Sequence, residues 1–157
     1  MRVLTALLAL GLGAGLKPSE VLTVSAEEHI RRHPEDERLL GILLPDRTIP
    51  VLRQYVPVLR DLCEDYPHGA LVGPHNPLAK DPLTVIRKGV EIPAWLPPLR
   101  VPRLRTTWMA SVLTQDVRIS EFLAISGTVS AKSLETIAPH VPGRWGEDAY
   151  LFKGAGL

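Results

Sequence analysis

Apolar residues follow a helical period along most of this chain, and one stretch has the short apolar run of a strand. Residues 3–12 combine leucines with small residues, which predicts a buried helix that ends at glycines. The run LLGILL at 39–44 has strand length, and the PDRTIPVL segment after it predicts a turn and a second strand, so the two form a hairpin. Residues 51–66 repeat apolar side chains every three or four positions, which predicts an amphipathic helix.

The remaining segments predict short helices joined by turns. Further helices are predicted over 18–24, 83–89, 104–114, 119–125 and 131–138. The charged segment SAEEHIRRHPEDER predicts a loop that leads into the first strand, and the proline-rich stretch 90–102 predicts a connector. The fold class that follows is α+β, mostly helical with a small antiparallel hairpin or sheet. We place a single domain at residues 1–142 and a flexible, glycine-rich tail at 143–157.

Composition favours one globular domain and says little about partners. The chain has 157 residues, of which 45% are hydrophobic, and its formal net charge is +1. A near-neutral balance removes the simplest argument for nucleic acid without excluding a local basic face. Cys63 is the only cysteine, so no internal disulfide can form, and a lone thiol favours a reducing compartment, which predicts a cytoplasmic protein. Lys17 and Glu20 interrupt the only candidate for a membrane span.

The opening stretch has a second interpretation, as a secretory signal. Arg2 would be the charged start, residues 3–16 the apolar region and the VSA at 24–26 the cleavage site, leaving an exported protein that begins near Glu27. Three features favour a core helix instead: a charged KPSE lies inside the would-be signal, the exported part would carry an unpaired thiol, and the run has the pattern of a buried helix. The PSE at 18–20 then begins a second helix.

Four segments, in order, resemble the catalytic domain of tyrosine recombinases, the phage-integrase family. GAGLKPSE (13–20) resembles the family's GLRxxE turn, and DRTIPVL (46–52) resembles the RxVP end of its antiparallel hairpin. PRLRTTW (102–108) resembles the HxLRH segment that opens a helix, and FLAISGTVSAKSLETI (122–137) resembles the LGH helix followed by the tyrosine helix. The resemblance spans nearly the whole chain. It implies a domain that is short at its N-terminus and lacks the family's separate DNA-binding module.

The resemblance also implies a chemistry against which the residues can be compared. These recombinases cut a strand by attack of a tyrosine oxygen on phosphorus, while two arginines hold the nonbridging phosphate oxygens with their planar forks. A lysine and a histidine move protons. Lys17 stands at the first arginine position and keeps the charge without the fork. Arg105 matches the second arginine.

The other catalytic positions carry residues that cannot do this work. The hairpin lysine would fall near Ile42, the histidine of HxLR is replaced by Pro102, and the residue after the glycine of LGH is Thr128. The tyrosine position falls at about Ile137, and Tyr150 lies about a dozen residues further on. The resemblance therefore implies a recombinase fold without strand-cleaving activity, and with no cofactor and no metal.

A local basic segment nevertheless favours contact with DNA. Between residues 87 and 118 there are six lysines and arginines and two acidic residues. The candidate phosphate-binding residues are Lys17, Lys88, Arg100, Arg103 and Arg105, with Arg87 and Arg118 extending the same surface. Two structural alternatives stay open. Arg105 could form a salt bridge, for instance with Glu20, inside an otherwise solvated face, and Lys17 could be an ordinary cation at a helix terminus.

The function predicted from these observations is non-catalytic duplex DNA binding by a recombinase-like protein. The resemblance also implies self-association, or association with an intact recombinase, through the C-terminal tail EDAYLFKGAGL. The alternatives are the exported protein described above, and a remnant scaffold that acts only through protein partners. No membrane partner is predicted.

Metal and nucleophile chemistry are not favoured. His29 and His33 have the spacing of a helical metal pair, but Pro34 and the surrounding charges disfavour a helix, and no third ligand accompanies them. Ser126-Gly127 lacks the GxSxG context of a serine nucleophile.

The remaining residues with reactive or aromatic side chains have structural interpretations. Cys63 occupies an apolar position of a predicted helix, which indicates a core residue. We expect Trp108 to be buried against the LLAL helix. Trp95 and Trp145 lie in segments rich in proline and glycine, and a single exposed aromatic side chain is weak support for base stacking.

Overall fold

The computed structural model describes residues 1–141 and 149–156. In chain order its elements are α1 (Arg2–Gly11), α2 (Pro18–Thr23), α3 (Ala26–His29), β1 (Ile30–Arg32), β2 (Leu40–Leu43), β3 (Thr48–Pro50), α4 (Val56–Asp65), α5 (Pro82–Arg87), α6 (Val101–Leu113), α7 (Ile119–Ser126), α8 (Ala131–Ile137) and α9 (Ala149–Gly154). Short 3-10 turns precede α4 at Arg53–Tyr55 and follow α8 at Ala138–His140. The predicted fold class, α+β with a small antiparallel sheet, is confirmed.

Helix α1 lies at the centre of the core and packs against both α4 and α6. Ala6, Leu7, Ala9 and Leu10 are buried in it. Each buried leucine side chain contributes on the order of 2 kcal/mol to the free energy of folding, and the alanines let the neighbouring helices approach closely. The prediction of a buried first helix is therefore confirmed.

The turn after α1 is held against α6 by a close glycine contact. Gly15 has a φ of +59°, a conformation that favours glycine. A Cβ atom at Gly15 would lie 2.1 Å from Cε3 of Trp108. Trp108 is fully buried, as predicted, and its ring occupies the space that a side chain at Gly15 would need. This contact fixes the position of the GAGLKPSE turn relative to α6.

The sheet has the order β1-β2-β3 and is antiparallel throughout. The predicted hairpin is formed by β2 and β3, with Ile42 opposite Ile49, and both side chains are fully buried. The loop predicted over the charged segment before β2 is wrong, because that segment contains α3 and the edge strand β1. An edge strand bonds to a neighbour on one side only, so β1 can expose Arg31 and Arg32 and does not need an apolar pattern.

Several helix boundaries differ from their predictions for reasons that involve proline. Helix α6 begins at Val101 rather than near residue 104, because Pro102 lies in the first turn, where no backbone N–H is needed. The helix predicted over 51–66 begins as a 3-10 turn and continues as α4, with a proline in its first turn. Helices α7 and α8 agree with their predictions to within one residue.

The C-terminal part of the chain is described in part. Ala149–Gly154 form α9 within the predicted tail, and Tyr150 is the second residue of that helix. The rest of the predicted tail up to residue 148, including Trp145, lies outside the described residues, as does Leu157. Within the described ranges, every helix falls short of the length and apolar character that crossing a membrane would require.

Candidate functional site

Arg105 lies on the buried face of α6 and is 8% exposed. Its Nη1 donates a hydrogen bond to the carbonyl oxygen of Gly15, and its Nη2 donates to the carbonyl oxygen of Ser126 at 2.7 Å. Its Cζ atom lies 6.0 Å from the centre of the Trp108 ring. Both outer nitrogens of the fork are therefore directed at backbone carbonyls, one before α2 and one at the end of α7.

Burial acts on the charge of Arg105. Burial lowers the pKa of its guanidinium, the positive charge of Arg47 lowers it further, and the negative charge of Glu20 opposes both. An arginine remains protonated at neutral pH despite such a shift. Arg105 is therefore a fixed buried cation, which the two carbonyl oxygens stabilise.

Arg47, between β2 and β3, is a second buried arginine, and its side chain is 3% exposed. Its Nη2 lies 2.8 Å from Oε1 and 3.0 Å from Oε2 of Glu20, and its Nη1 donates to both carboxylate oxygens of Asp46 at 3.0 Å. Its Nε donates to the carbonyl oxygen of Ile125 at 3.2 Å. Gly127, with a φ of +72°, places its backbone against this guanidinium. Arg47 therefore joins the hairpin to α2 and to the end of α7.

Glu20 has two roles in this arrangement. Its Oε2 accepts a hydrogen bond at 2.7 Å from the backbone N–H of Lys17, which caps the N-terminus of α2. The same carboxylate pairs with Arg47. The suggested salt bridge between Arg105 and Glu20 is replaced by this pair, because Arg105 bonds to carbonyls instead.

We call these side chains and their carbonyl partners the arginine cluster. It consists of Glu20, Arg47 and Arg105 with the carbonyl groups of Gly15, Ile125 and Ser126. The cluster links segments 13–20, 46–52, 102–108 and 122–137, which lie far apart in the sequence. Arg47 was missed as a candidate site residue. Its position in the RTIP motif was the available signal, but sequence alone does not show that its side chain turns inward.

The other family-equivalent positions lie around the cluster and in the core. Lys17 is half-buried as the N-cap residue of α2, and Pro102 is exposed in the first turn of α6. Ile42 and Ile137 are buried apolar residues, and Thr128 is exposed. The arginine cluster therefore offers fixed positive charge and carbonyl groups, and the hydroxyl beside it, that of Ser126, donates to the carbonyl oxygen of Gly127 at 3.1 Å.

A cleft of about 410 Å³ lies at the first turns of α5 and α6, and the candidate phosphate-binding cations other than Arg105 lie in or next to the segments that line it. Arg100 lines the cleft directly, and the others are sequence neighbours of residues that line it: Lys17 precedes Pro18, Lys88 follows Arg87, and Arg103 follows Pro102. We call Lys17, Lys88, Arg100 and Arg103 the basic rim. Asp81 also lines the cleft, and its carboxylate accepts hydrogen bonds from the backbone and hydroxyl of Thr84.

The structure therefore separates the five candidate phosphate-binding residues into two groups. Lys88, Arg100 and Arg103 are exposed and Lys17 is half-buried, whereas Arg105 is buried and bonded internally. Arg87 extends the rim, but its Nη1 donates to the carbonyl oxygen of Leu99 at 2.8 Å.

The prediction of a loop is wrong for His29, which is the last residue of α3, and His33 follows β1; both have local partners. Nδ1 of His29 accepts from the backbone N–H of Ser25 at 3.2 Å, and Nδ1 of His33 accepts from that of Glu35 at 3.3 Å. Across residues 1–141 and 149–156, histidine, cysteine and acidic side chains do not gather in a group of three or more suited to a metal ion. Cys63 is half-buried against the core, and burial raises the pKa of its thiol to about 11.

Comparison of the chain with protein-family models, with curated proteins and with solved structures found no match.

Proposed function

We propose that this chain is a tyrosine-recombinase-like domain that binds duplex DNA without cutting it. The basic rim contacts the phosphates, and the arginine cluster holds the domain together. The proposal includes a cytoplasmic location, which the lone, half-buried thiol of Cys63 supports.

The single observation that carries the recombinase part of the proposal is the convergence of the four segments at the arginine cluster. Those segments resemble family motifs and lie far apart in the sequence, and the one contact suggested between any two of them was a salt bridge of Arg105 with Glu20. Arg105 bonds to the first and the fourth of them, and Arg47 bonds the second to the same two. A chance likeness of four short motifs gives no reason for them to meet in space.

The absence of cleavage in the proposal rests on the positions that the family uses for chemistry. Pro102 has no proton to transfer, and Ile137 is a buried apolar residue where the nucleophile would stand. Arg105 has both fork nitrogens committed to backbone carbonyls. We therefore assign Arg105 to the support of the fold and not to the grip on a phosphate.

DNA binding is supported by the placement of the basic rim. Arg100 lines the cleft, and Lys17, Lys88 and Arg103 are each adjacent in sequence to a residue that lines it. Asp81, which also lines the cleft, accepts hydrogen bonds from Thr84 as the N-cap of α5, and these bonds lower its pKa, so its negative charge remains and offsets one of these cations. Exposed cations at this density neutralise phosphates and release counterions, so their affinity for DNA must fall as salt rises.

The test is the affinity of the whole chain for a labelled duplex, measured by fluorescence anisotropy across a salt series. We expect binding that weakens steeply with salt. Arg100→Gln should weaken it, and Arg32→Gln, a matched change of an exposed arginine on β1, should not. A folded protein that does not bind at low salt, or equal loss in both variants, would contradict the proposal.

The exported alternative conflicts with the packing of the first helix. A protein that began near Glu27 would lack α1, whose side chains Leu7 and Leu10 fill the centre of the core between α4 and α6. Loss of that helix would leave the facing surfaces of two helices exposed to water, which favours unfolding.

A second proposed role is association through the C-terminal tail, either with another copy or with an intact recombinase. The observation that favours it is that α9 exposes Leu151 and Phe152, at 56% and 59%. Phe152→Glu should abolish such association in sedimentation equilibrium, whereas Leu78→Glu, at an exposed loop position, should leave it intact. A monomeric wild-type chain would contradict self-association. Failure to bind an intact recombinase in the same experiment would contradict association with such a partner.

A further inference from the structure

Trp95 is 81% exposed, whereas Trp108 is fully buried. Trp95 lies in a segment that is anchored at both ends. Ile92, before the segment, packs against the core, and Leu99, after the segment, is buried. We call residues 93–98 the tryptophan arm. A large indole ring in water is costly, and the described contacts leave this one uncovered.

The arm contains a hydrogen-bonded turn and three prolines. The backbone N–H of Leu96 donates to the carbonyl oxygen of Pro93 at 2.9 Å, which closes a turn with Trp95 at its third position. Pro93, Pro97 and Pro98 restrict the backbone further. At its end, the carbonyl oxygen of Leu99 accepts from Arg87 on α5. Since the arm is already constrained, binding through Trp95 loses little chain entropy.

Cations stand on both sides of the arm. Arg87 and Lys88 come before it, Arg100 follows it after Leu99, and Arg87 and Arg100 both line the cleft of the basic rim. Trp95 and Arg100 are five residues apart, so their Cα atoms are at most about 18 Å from each other. Glu91, two residues before the arm, is an exposed acidic residue. This spacing is short enough for one strand to contact both Arg100 and the indole ring.

We propose that Trp95 stacks on an unpaired base of DNA whose backbone is held by the basic rim. The inference rests on the proposed DNA binding and deepens it, because it names the substrate as DNA with unpaired bases. Inside an intact duplex both faces of each base are covered by its neighbours, so an indole ring finds a free face without unstacking the duplex only at an unpaired base or a duplex end. Stacking on aromatic side chains accepts any base, since every base has a π-face.

The charge around the arm decides between nucleic acid and a protein partner. A proline-rich segment can also bind the aromatic groove of a protein. The flanking cations give no advantage in a groove of neutral aromatic residues, whereas they match a phosphate backbone. A protein partner is therefore the alternative outcome of the test.

The experiment measures the affinity of the whole chain for a labelled oligothymidylate and, separately, for a labelled duplex, in wild type and in three variants. Trp95→Ala should weaken oligothymidylate binding about fivefold to a hundredfold and leave duplex binding unchanged. Trp95→Phe should restore much of the loss, because it keeps an aromatic face. Leu78→Ala, which removes an apolar side chain that is 91% exposed in another loop, should have no effect. Thermal unfolding of each variant checks that all remain folded.

The outcomes separate this inference from the proposed function. If Trp95→Ala binds oligothymidylate as tightly as wild type while the duplex is still bound, the stacking inference is wrong and duplex binding stands. The arm would then be left to a protein partner. If Trp95-dependent binding to oligothymidylate occurs without duplex binding, the stacking inference stands and the duplex proposal is wrong. If wild type binds neither probe, both are wrong.

Discussion

Arg103 and Arg105 are two residues apart on the same helix, and the structure places them in opposite environments. Arg103 is exposed beside the cleft, whereas Arg105 is buried and donates to the carbonyl oxygens of Gly15 and Ser126. In the sequence both belong to one basic stretch and both were candidate phosphate ligands. Two residues along a helix turn a side chain by about 200°, so one faces the solvent and the other the core.

The comparison shows that the charge of an arginine does not by itself determine whether the residue supports the fold or is available to bind a ligand. A buried guanidinium with its nitrogens directed at carbonyls fixes the positions of backbone segments, and its removal leaves those carbonyls unsatisfied. An exposed guanidinium has few internal bonds to lose and is available for a ligand. We therefore expect substitutions in the arginine cluster to act on stability, and those in the basic rim to act on binding.

The largest effect on stability is expected for Arg105→Ala. It removes two charge-assisted hydrogen bonds and leaves a cavity beside Trp108, so the free energy of unfolding should fall by about 4 kcal/mol. Denaturant unfolding followed by circular dichroism measures this change. A loss below about 1 kcal/mol, the size typical of a surface position, would show that Arg105 does not support the fold.

A smaller loss is expected for Glu20→Gln, which keeps the shape of the side chain and removes its charge. Arg47 would then remain buried without its main counter-charge, and the free energy of unfolding should fall by about 2 kcal/mol. Glu35→Gln, at an exposed position, is the matched control and should change little. Equal effects of the two substitutions would mean that the buried pair contributes nothing beyond a surface charge.

The degree of burial of Cys63 is intermediate between that of Arg105, which is buried, and that of Arg103, which is exposed. Burial raises the pKa of its thiol from 9.0 to about 11, so between these pH values the folded chain keeps a proton that the unfolded chain has lost. The thiol's contribution to the free energy of unfolding should accordingly decrease as pH rises from about 9 to about 11. Unfolding of wild type and of Cys63→Ala across this range measures it. Parallel pH profiles of the two proteins would contradict the shift.

The smallest effect on stability is expected for Arg100→Gln in the basic rim. Its side chain is exposed, so the free energy of unfolding should change by less than about 0.5 kcal/mol. The same denaturant experiment measures it. A loss as large as that of Glu20→Gln would place Arg100 with the structural arginines and weaken the division between rim and cluster.

The sequence predicts those parts of the fold that depend on local apolar patterns. The buried helix α1, the hairpin of β2 and β3 and the burial of Trp108 all follow from such patterns and are found. The strand β1 was missed because an edge strand with two exposed arginines has no apolar alternation. Long-range pairing brings it beside β2, and no local pattern reports that.

The site was predictable in its residue types and not in its geometry. The charged residues around the cleft were identified from the basic stretch that contains Lys88, Arg100 and Arg103. The inward turn of Arg105 and the role of Arg47 depend on where the backbone carbonyls of distant segments lie. Those positions are set by tertiary packing, such as the contact of Gly15 with Trp108, and are not encoded in any single motif.

The most direct test of the account compares Arg103→Gln with Arg105→Gln by the salt dependence of duplex binding, at a temperature where both are folded. If the rim binds phosphates and the cluster supports the fold, Arg103→Gln should reduce the slope of log affinity against log salt concentration by about 1 and leave the unfolding temperature unchanged. Arg105→Gln should lower the unfolding temperature and keep the wild-type slope. A reduced slope in Arg105→Gln with full retention in Arg103→Gln would contradict the account and return Arg105 to the role of a phosphate ligand.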